Sequence, residues 1–205
     1  VSLDLVLMVI PLIISFIALI VSIVVAWSNR KSLQVEISPD LQVMEGGRIF
    51  FLNDDGIPEP YDHALLATVE VVNPSPKDIA FFDLRTFYPE TNMNVDLLTR
   101  RAVLEKYRDK KLWRVIKTPS GKERLSELIV PETNYGIFKS NSFTRLHIVT
   151  FPDKDDDKIL LSFKVAMRSR IKKDPFAVTG RKVFKHYGRA YKINSWQKSL
   201  PNSLQ

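Results

Sequence analysis

Residues Leu5 to Trp27 run for 23 positions without a charged side chain. A bilayer core needs about 20 apolar residues of helix to cross it. At about 1.5 Å per residue, 23 residues reach roughly 34 Å, enough to span with some tilt. The run is apolar on every face, which separates it from the one-sided stripe of a surface helix. A cleaved leader has a basic start and an apolar core of about 7–15 residues. Here no Lys or Arg precedes Arg30, and the apolar run is longer. Ala26, Trp27 and Ser28 form only a poor small-x-small cleavage pattern. The expectation is a single membrane span with a folded body behind it.

The flanks orient that span. Asp4 is the one charge ahead of it, while Arg30 and Lys31 follow directly. Basic flanks stay in the cytoplasm, so the reading is N-terminus out and body in. Trp27 sits where an interfacial aromatic anchor belongs. Val1 fits an alternative bacterial start or a trimmed chain; basic residues upstream would weaken or reverse the orientation. Ala18, Ser22 and Ala26 recur every four residues and share one helix face. Small residues at that spacing let two helices approach closely, so this face is a candidate self-association seam, against the alternative of chance.

About 178 residues remain behind the span, enough for one domain with a real core. The sequence divides into a short tail (1–4), the span (5–27), a basic juxtamembrane linker (28–32), a β domain (33–198) and a C-terminal tail (199–205). The chain has no cysteine, which removes disulfides, zinc-thiolate sites and cysteine nucleophiles together. All 30 Lys and Arg lie behind the span with 22 of the 23 acids, so that part carries +8. Such a surface attracts anionic headgroups, acidic proteins or nucleic acid.

Strand signals dominate the body. Leu33–Ser38 and Arg48–Leu52 are short β-rich runs, the second flanked by turn residues. Leu65–Asn73 and Ile79–Tyr88 are longer and surround Asn73-Pro74-Ser75-Pro76-Lys77-Asp78, an arrangement expected of adjacent antiparallel partners. Leu112–Ile116 and Glu123–Val130 bracket a Pro-Ser-Gly turn and read as a hairpin. Ser142–Phe151 and Lys158–Arg168 are the clearest pair. In the latter, Ile159, Leu161, Phe163, Val165 and Met167 alternate with polar residues, as half-buried strands do. Arg181–Ile193 is the last β-like run. Only Asn94–Asp109 breaks the pattern, as a short inserted helix capped by Asp96.

Eight or nine strands with regular turns point to an antiparallel β-sandwich, with a closed barrel as the alternative. Thr68–Phe87, TVEVVNPSPKDIAFFDLRTF, resembles the strand–turn–strand of immunoglobulin-like sandwich modules in bacterial membrane-anchored proteins. The resemblance covers about 20 residues and the anchor layout. It implies an immunoglobulin-like fold and a binding or scaffolding role by analogy, and transfers no catalytic residue.

No nucleophile elbow, phosphate-binding glycine loop or dinucleotide fingerprint occurs. His63, His147 and His186 lack metal-ligand spacing, and His147 reads as an ordinary strand histidine. Asp153, Asp155, Asp156 and Asp157 lack the glycine and distal Glu of a calcium loop and read as a solvated hairpin turn between two strands. No metal or cofactor is expected. The strongest signal in the body is basic: Arg168, Arg170, Lys172, Lys173, Arg181, Lys182, Lys185, Arg189 and Lys192, with interleaved aromatics. Such a face suits anionic lipid or an acidic protein; nucleic acid is a weaker fit, and a solvated edge strand is the plain alternative. The leading expectation is a non-enzymatic interaction module on the cytoplasmic side of the cell membrane. The alternatives are an extracytoplasmic ligand-binding or adhesion domain and a carboxylate-dependent hydrolase.

Overall fold

The computed structural model describes residues 3–28, 30–152, 157–167 and 184–193. The N-terminal run is one helix, α1 (Leu3–Ser28), continuous through Pro11. Residues Val9–Ser28 of α1 have the length and composition to cross a membrane, and none of these residues is buried. Leu12, Phe16 and Trp27 are each more than 60% exposed, an arrangement that water does not support over a whole helix.

The body is mainly antiparallel β. Its strands are β1 (Gln34–Ile37), β2 (Gln42–Met44), β3 (Ile49–Leu52), β4 (Pro58–Pro60), β5 (Ala64–Asn73), β6 (Ile79–Phe87) and β7 (Asn94–Leu97). They continue with β8 (Leu112–Lys117), β9 (Glu123–Leu128), β10 (Gly136–Phe138), β11 (Ser142–Phe151), β12 (Lys158–Val165) and β13 (Lys185–Lys192). Nine form one sheet in the order β1-β5-β11-β7-β6-β12-β13, with β2 beside β5 and β10 beside β6. The other four form a smaller sheet, β4-β3-β8-β9.

Two cores explain this layout. The first lies inside the large sheet, between Leu65, Ala67, Val69 and Val71 of β5 and Ile159, Leu161, Phe163 and Val165 of β12. Each of the larger side chains contributes about 1.5–3 kcal/mol by leaving water. The alternation in β12 places Leu160, Ser162 and Lys164 on the opposite, outer face, so the period-two reading of that strand holds. The second core lies between the two sheets. Ala64, Leu66 and Val149 meet Ile49, Phe51, Leu112 and Leu128 there. The first half of β5 is therefore buried on both faces, and its sequence, ALLA, has no polar residue to spare.

Strands β5 and β6 are not partners. β5 pairs with β1, β2 and β11, and β6 pairs with β7, β10 and β12. The segment between them is an arch from one wall of the sandwich to the other, not a hairpin. The cause is Asn73, whose buried side chain ties the arch to a different turn. The pairing expected of Ser142–Phe151 with Lys158–Arg168 is absent too, since β11 pairs with β5 and β7 and β12 with β6 and β13, and so is the helix expected over Asn94–Asp109. Asn94–Leu97 extends as β7, joining β6 to β11 and closing that side of the sandwich. Two 3-10 turns follow, Arg100–Ala102 and Glu105–Tyr107, the first capped by the Thr99 hydroxyl rather than by Asp96. Leu98, Val103 and Tyr107 are spaced to fill the second core and not to form one helical face.

The other side is closed by side chains. Tyr191 Oη donates to Ser38 O at 2.8 Å, and Arg189 Nη1 donates to Ile37 O at 3.1 Å. These bonds join β13 to β1 where no ladder forms. Burial pushes the Tyr191 phenol up, against the opposing effect of the bond to Ser38, so it stays a neutral donor.

His147 joins the two sheets. Its ring Nδ1 accepts from the Ile129 N–H at 2.8 Å, and its own backbone N–H donates to Ile129 O at 2.8 Å. Burial, then the charges of Arg114 and Arg145, push the imidazole down to about 4. An acceptor at Nδ1 requires the neutral ring. Above the unfolded value of 6.5 both states are neutral, and the contribution is complete. As pH falls from 6.5 towards 4, the unfolded chain takes up a proton that the native ring resists. Stability should fall by about 1.4 kcal/mol per pH unit there, about 3 kcal/mol in all. Urea midpoints of the detergent-solubilised chain between pH 7 and pH 4 check this, and His147→Gln should flatten that window.

Candidate functional site

The register places one end of the body next to α1. Gln34, the first residue of β1, lies opposite Val72 near the end of β5. Ser142 of β11 lies opposite Asn73, Phe138 of β10 opposite Ile79, and Val165 of β12 opposite Lys185. The ends of seven strands thus meet at the side where the chain arrives from α1. The 74–78 arch and the 139–141 turn lie here. Met167 and Phe184, the described residues that bracket 168–183, lie here as well.

Asn73 builds this end. It is fully buried, and its Nδ2 donates to Lys77 O (3.0 Å), Phe138 O (3.0 Å) and Lys139 O (2.9 Å). Its Oδ1 accepts from Ser75 N (3.1 Å) and Ser75 Oγ (2.6 Å). One side chain therefore satisfies polar groups from the arch and from the adjacent turn. Asp78 adds a second tie by accepting from Ser140 N at 2.7 Å, and Asn141 N donates to Ser75 O at 3.1 Å. Lys77 and Lys139 project from these two turns, exposed. The Asn-Pro-Ser-Pro run signals a turn, but nothing local in it signals that Asn73 reaches 65 residues along the chain.

At the junction, the Arg30 guanidinium lies 5.0 Å from the centre of the Trp27 ring. Lys31 Nζ donates to Ala166 O at 3.5 Å, touching the end of the body. Trp27, Arg30 and Lys31 are thus consecutive contacts from helix to body. Along α1, Ser22 Oγ bonds to Ala18 O at 2.8 Å within the helix, and the Ala18, Ser22 and Ala26 face is exposed.

Of the predicted basic face, Arg168, Arg170, Lys172, Lys173, Arg181 and Lys182 lie outside the described residues, as do Asp153, Asp155 and Asp156 of the acidic run. Lys185, Arg189 and Lys192 lie on β13. Lys185 and Arg189 share a face with Tyr187 and Tyr191, Lys185 sitting 4.7 Å from the Tyr187 ring. Lys192 lies on the opposite face, across from Lys158.

The outer face of β6, β12 and β13 holds a shallow groove of about 370 Å³, lined by Arg85, Phe87, Ser162, Lys164 and His186. A bulge in β6 makes it. Asp83 adopts a left-handed φ of 54°, which Asp tolerates better than most residues, and the β6–β12 register shifts by one there. The bulge aims Asp83 at Lys164 (2.6 Å) and Arg85 (3.7 Å). Gly188 keeps the floor low: a Cβ there would sit 2.8 Å from Leu161 O. Two cations share one carboxylate, so the groove retains a positive charge. No group of three or more His, Asp or Glu is placed to hold a metal among the described residues.

No family model matches the sequence, and no curated protein matches it at a significant level. Among solved structures, the yjhA protein from Bacillus subtilis matches with a TM-score of 0.35 and 9% identity, over 80% of this chain and 92% of that one. A TM-score of that size identifies neither a shared fold nor a shared function.

Replacing Asn73 by Ala should remove all the bonds that its side chain makes between the arch and the 139–141 turn, leaving Lys77 O and Lys139 O only their bonds from Ser75 Oγ and Ser142 Oγ, at a loss of about 3 kcal/mol. For a body of this size the midpoint of thermal unfolding should drop by roughly 6–12 °C. Asn73→Asp, which keeps the shape but removes both donors, should fall similarly in a circular-dichroism melt.

Proposed function

We propose that this chain is a single-pass, membrane-anchored interaction module whose β body recruits an acidic partner or anionic lipid at the cytoplasmic leaflet. The fold class that suits this reading is an immunoglobulin-like sandwich, which presents strand faces and end turns as binding surfaces. The observation that carries the reading is the tie between anchor and body. Five residues, 29–33, separate α1 from β1, and two of them are Arg30 and Lys31. A tether that short holds the body at the membrane surface and puts its cations where headgroups are. The exposed apolar side chains of α1 support the anchor, and the basic flank supports the cytoplasmic side. By sequence, the basic run from Arg168 to Lys192 adds attraction for acidic surfaces. The groove at Asp83 is open and shallow, which favours binding a surface over enclosing a small reactant.

Topology tests this reading. Ser120 lies in the exposed turn between β8 and β9, and the chain has no cysteine of its own. In Ser120→Cys, a membrane-impermeant thiol reagent should label nothing on intact cells and label fully after lysis. Labelling of intact cells would make an extracytoplasmic binding domain the better reading.

A further inference from the structure

We propose that the anchor-side end of the body is a preformed docking surface for anionic lipid headgroups, centred on Lys31, Lys77, Lys139 and Lys185. The proposal rests on the membrane-anchored reading and adds the part of the body that meets the bilayer.

Reach comes first. From Ser28 to Gln34 is six Cα steps, so the start of β1 lies at most about 22 Å from the end of α1. The register brings the ends of β5, β10, β11, β12 and β13 to the same side as that start. The 74–78 arch and the 139–141 turn are therefore the parts of the body that the tether holds closest to the headgroups.

Charge comes second. Lys31, Lys77, Lys139 and Lys185 are all exposed at this end. Among the described residues Lys77 and Lys139 form no ion pair, whereas Lys106, Lys110, Lys111 and Lys164 elsewhere on the body do. The acid in the arch, Asp78, is engaged by the Ser140 N–H and serves to hold the turns. The far end is mixed: Asp40, Glu90 and Asp157 stand there with Lys158 and Lys192, and Lys158 is drawn to Glu90 at 3.9 Å. The exposed lysines at the anchor-side end favour contact with an anionic surface.

Order and apolar content come third. The buried Asn73 clamp fixes the two turns relative to each other, so Lys77 and Lys139 need little further ordering to act together. Beside them Phe143 and Val72 form a cross-strand pair on the outer face, 55% and 39% exposed. An aromatic ring beside a ring of lysines is the composition of a membrane-interface contact. Lipid is favoured over an acidic protein because the tether already brings this end to the bilayer.

The test uses the full chain in nanodiscs. Pro76→Cys carries a single fluorophore in the arch, and the lipids carry a quencher. Quenching should be at least about twofold stronger with roughly a third phosphatidylglycerol than in pure phosphatidylcholine. The difference should vanish near about 0.5 M salt. It should vanish as well in Lys77→Glu/Lys139→Glu/Lys185→Glu and survive in the matching Lys→Arg triple variant. Equal quenching in the two lipids, the result expected if this end served an acidic protein instead, overturns the proposal. So does a difference that persists in the Glu variant. If the Glu variant loses its circular-dichroism signal, the lipid and salt comparisons on the unsubstituted surface still decide. Nanodiscs present both leaflets, so the outcome is independent of the side of the membrane that Ser120 reports.

Discussion

The body is organised around β5, a strand that has to be buried on both faces. Ala64 and Leu66 point into one core and Leu65 and Ala67 into the other. A strand in that position needs a sheet on each side, and the rest of the topology supplies them. The large sheet curls so that β6 and β12 cover one face, and the small sheet covers the other. Further along, the pattern relaxes to alternation and the outer residues, Glu70 and Val72, reach the surface. The covered half of β5 lies away from the anchor and the uncovered half towards it. The same strand thus sets where the body is thick and where it is open towards the end nearest α1.

This arrangement also accounts for what the sequence reveals. Strands were legible because their burial is periodic: Ser142–Phe151 was found with its limits unchanged, and Ile159 to Val165 alternate as read. Pairing was legible in the β8–β9 hairpin but not among the longer strands. The Pro-rich segment after Asn73 has the composition of a hairpin turn, and the same composition serves an arch. The choice between them is made by Asn73, whose partners at Phe138 and Lys139 are distant in sequence. The supposed helix at Asn94–Asp109 failed for a related reason. Its apolar residues serve two elements, Val95 the first core and Val103 and Tyr107 the second, so their spacing follows no single period.

The candidate functional surface was partly legible in the same way. Trp27, Arg30 and Lys31 follow from local sequence, and the structure joins Arg30 to Trp27 and Lys31 to Ala166. Lys77 and Lys139 carry no sequence signal, since each is a single lysine in a turn. Register alone brings them to the same end as Lys31. The basic residues of β13 show the converse. Lys185, Arg189 and Lys192 read as one run, yet Arg189 is spent on sealing the sandwich against Ile37, and Lys192 stands on the other face. Charge counted along a chain is a statement about attraction; only the sheet register assigns it to a surface.

The proposed membrane-anchored role depends on α1 lying in a bilayer. Alkaline carbonate extraction of membranes from cells making the full chain, read by intact mass, is the most direct measurement. The account predicts a chain that stays in the membrane pellet and retains the residues of α1. A soluble product that begins near Ala26 would show the helix to be a removed leader and would contradict it.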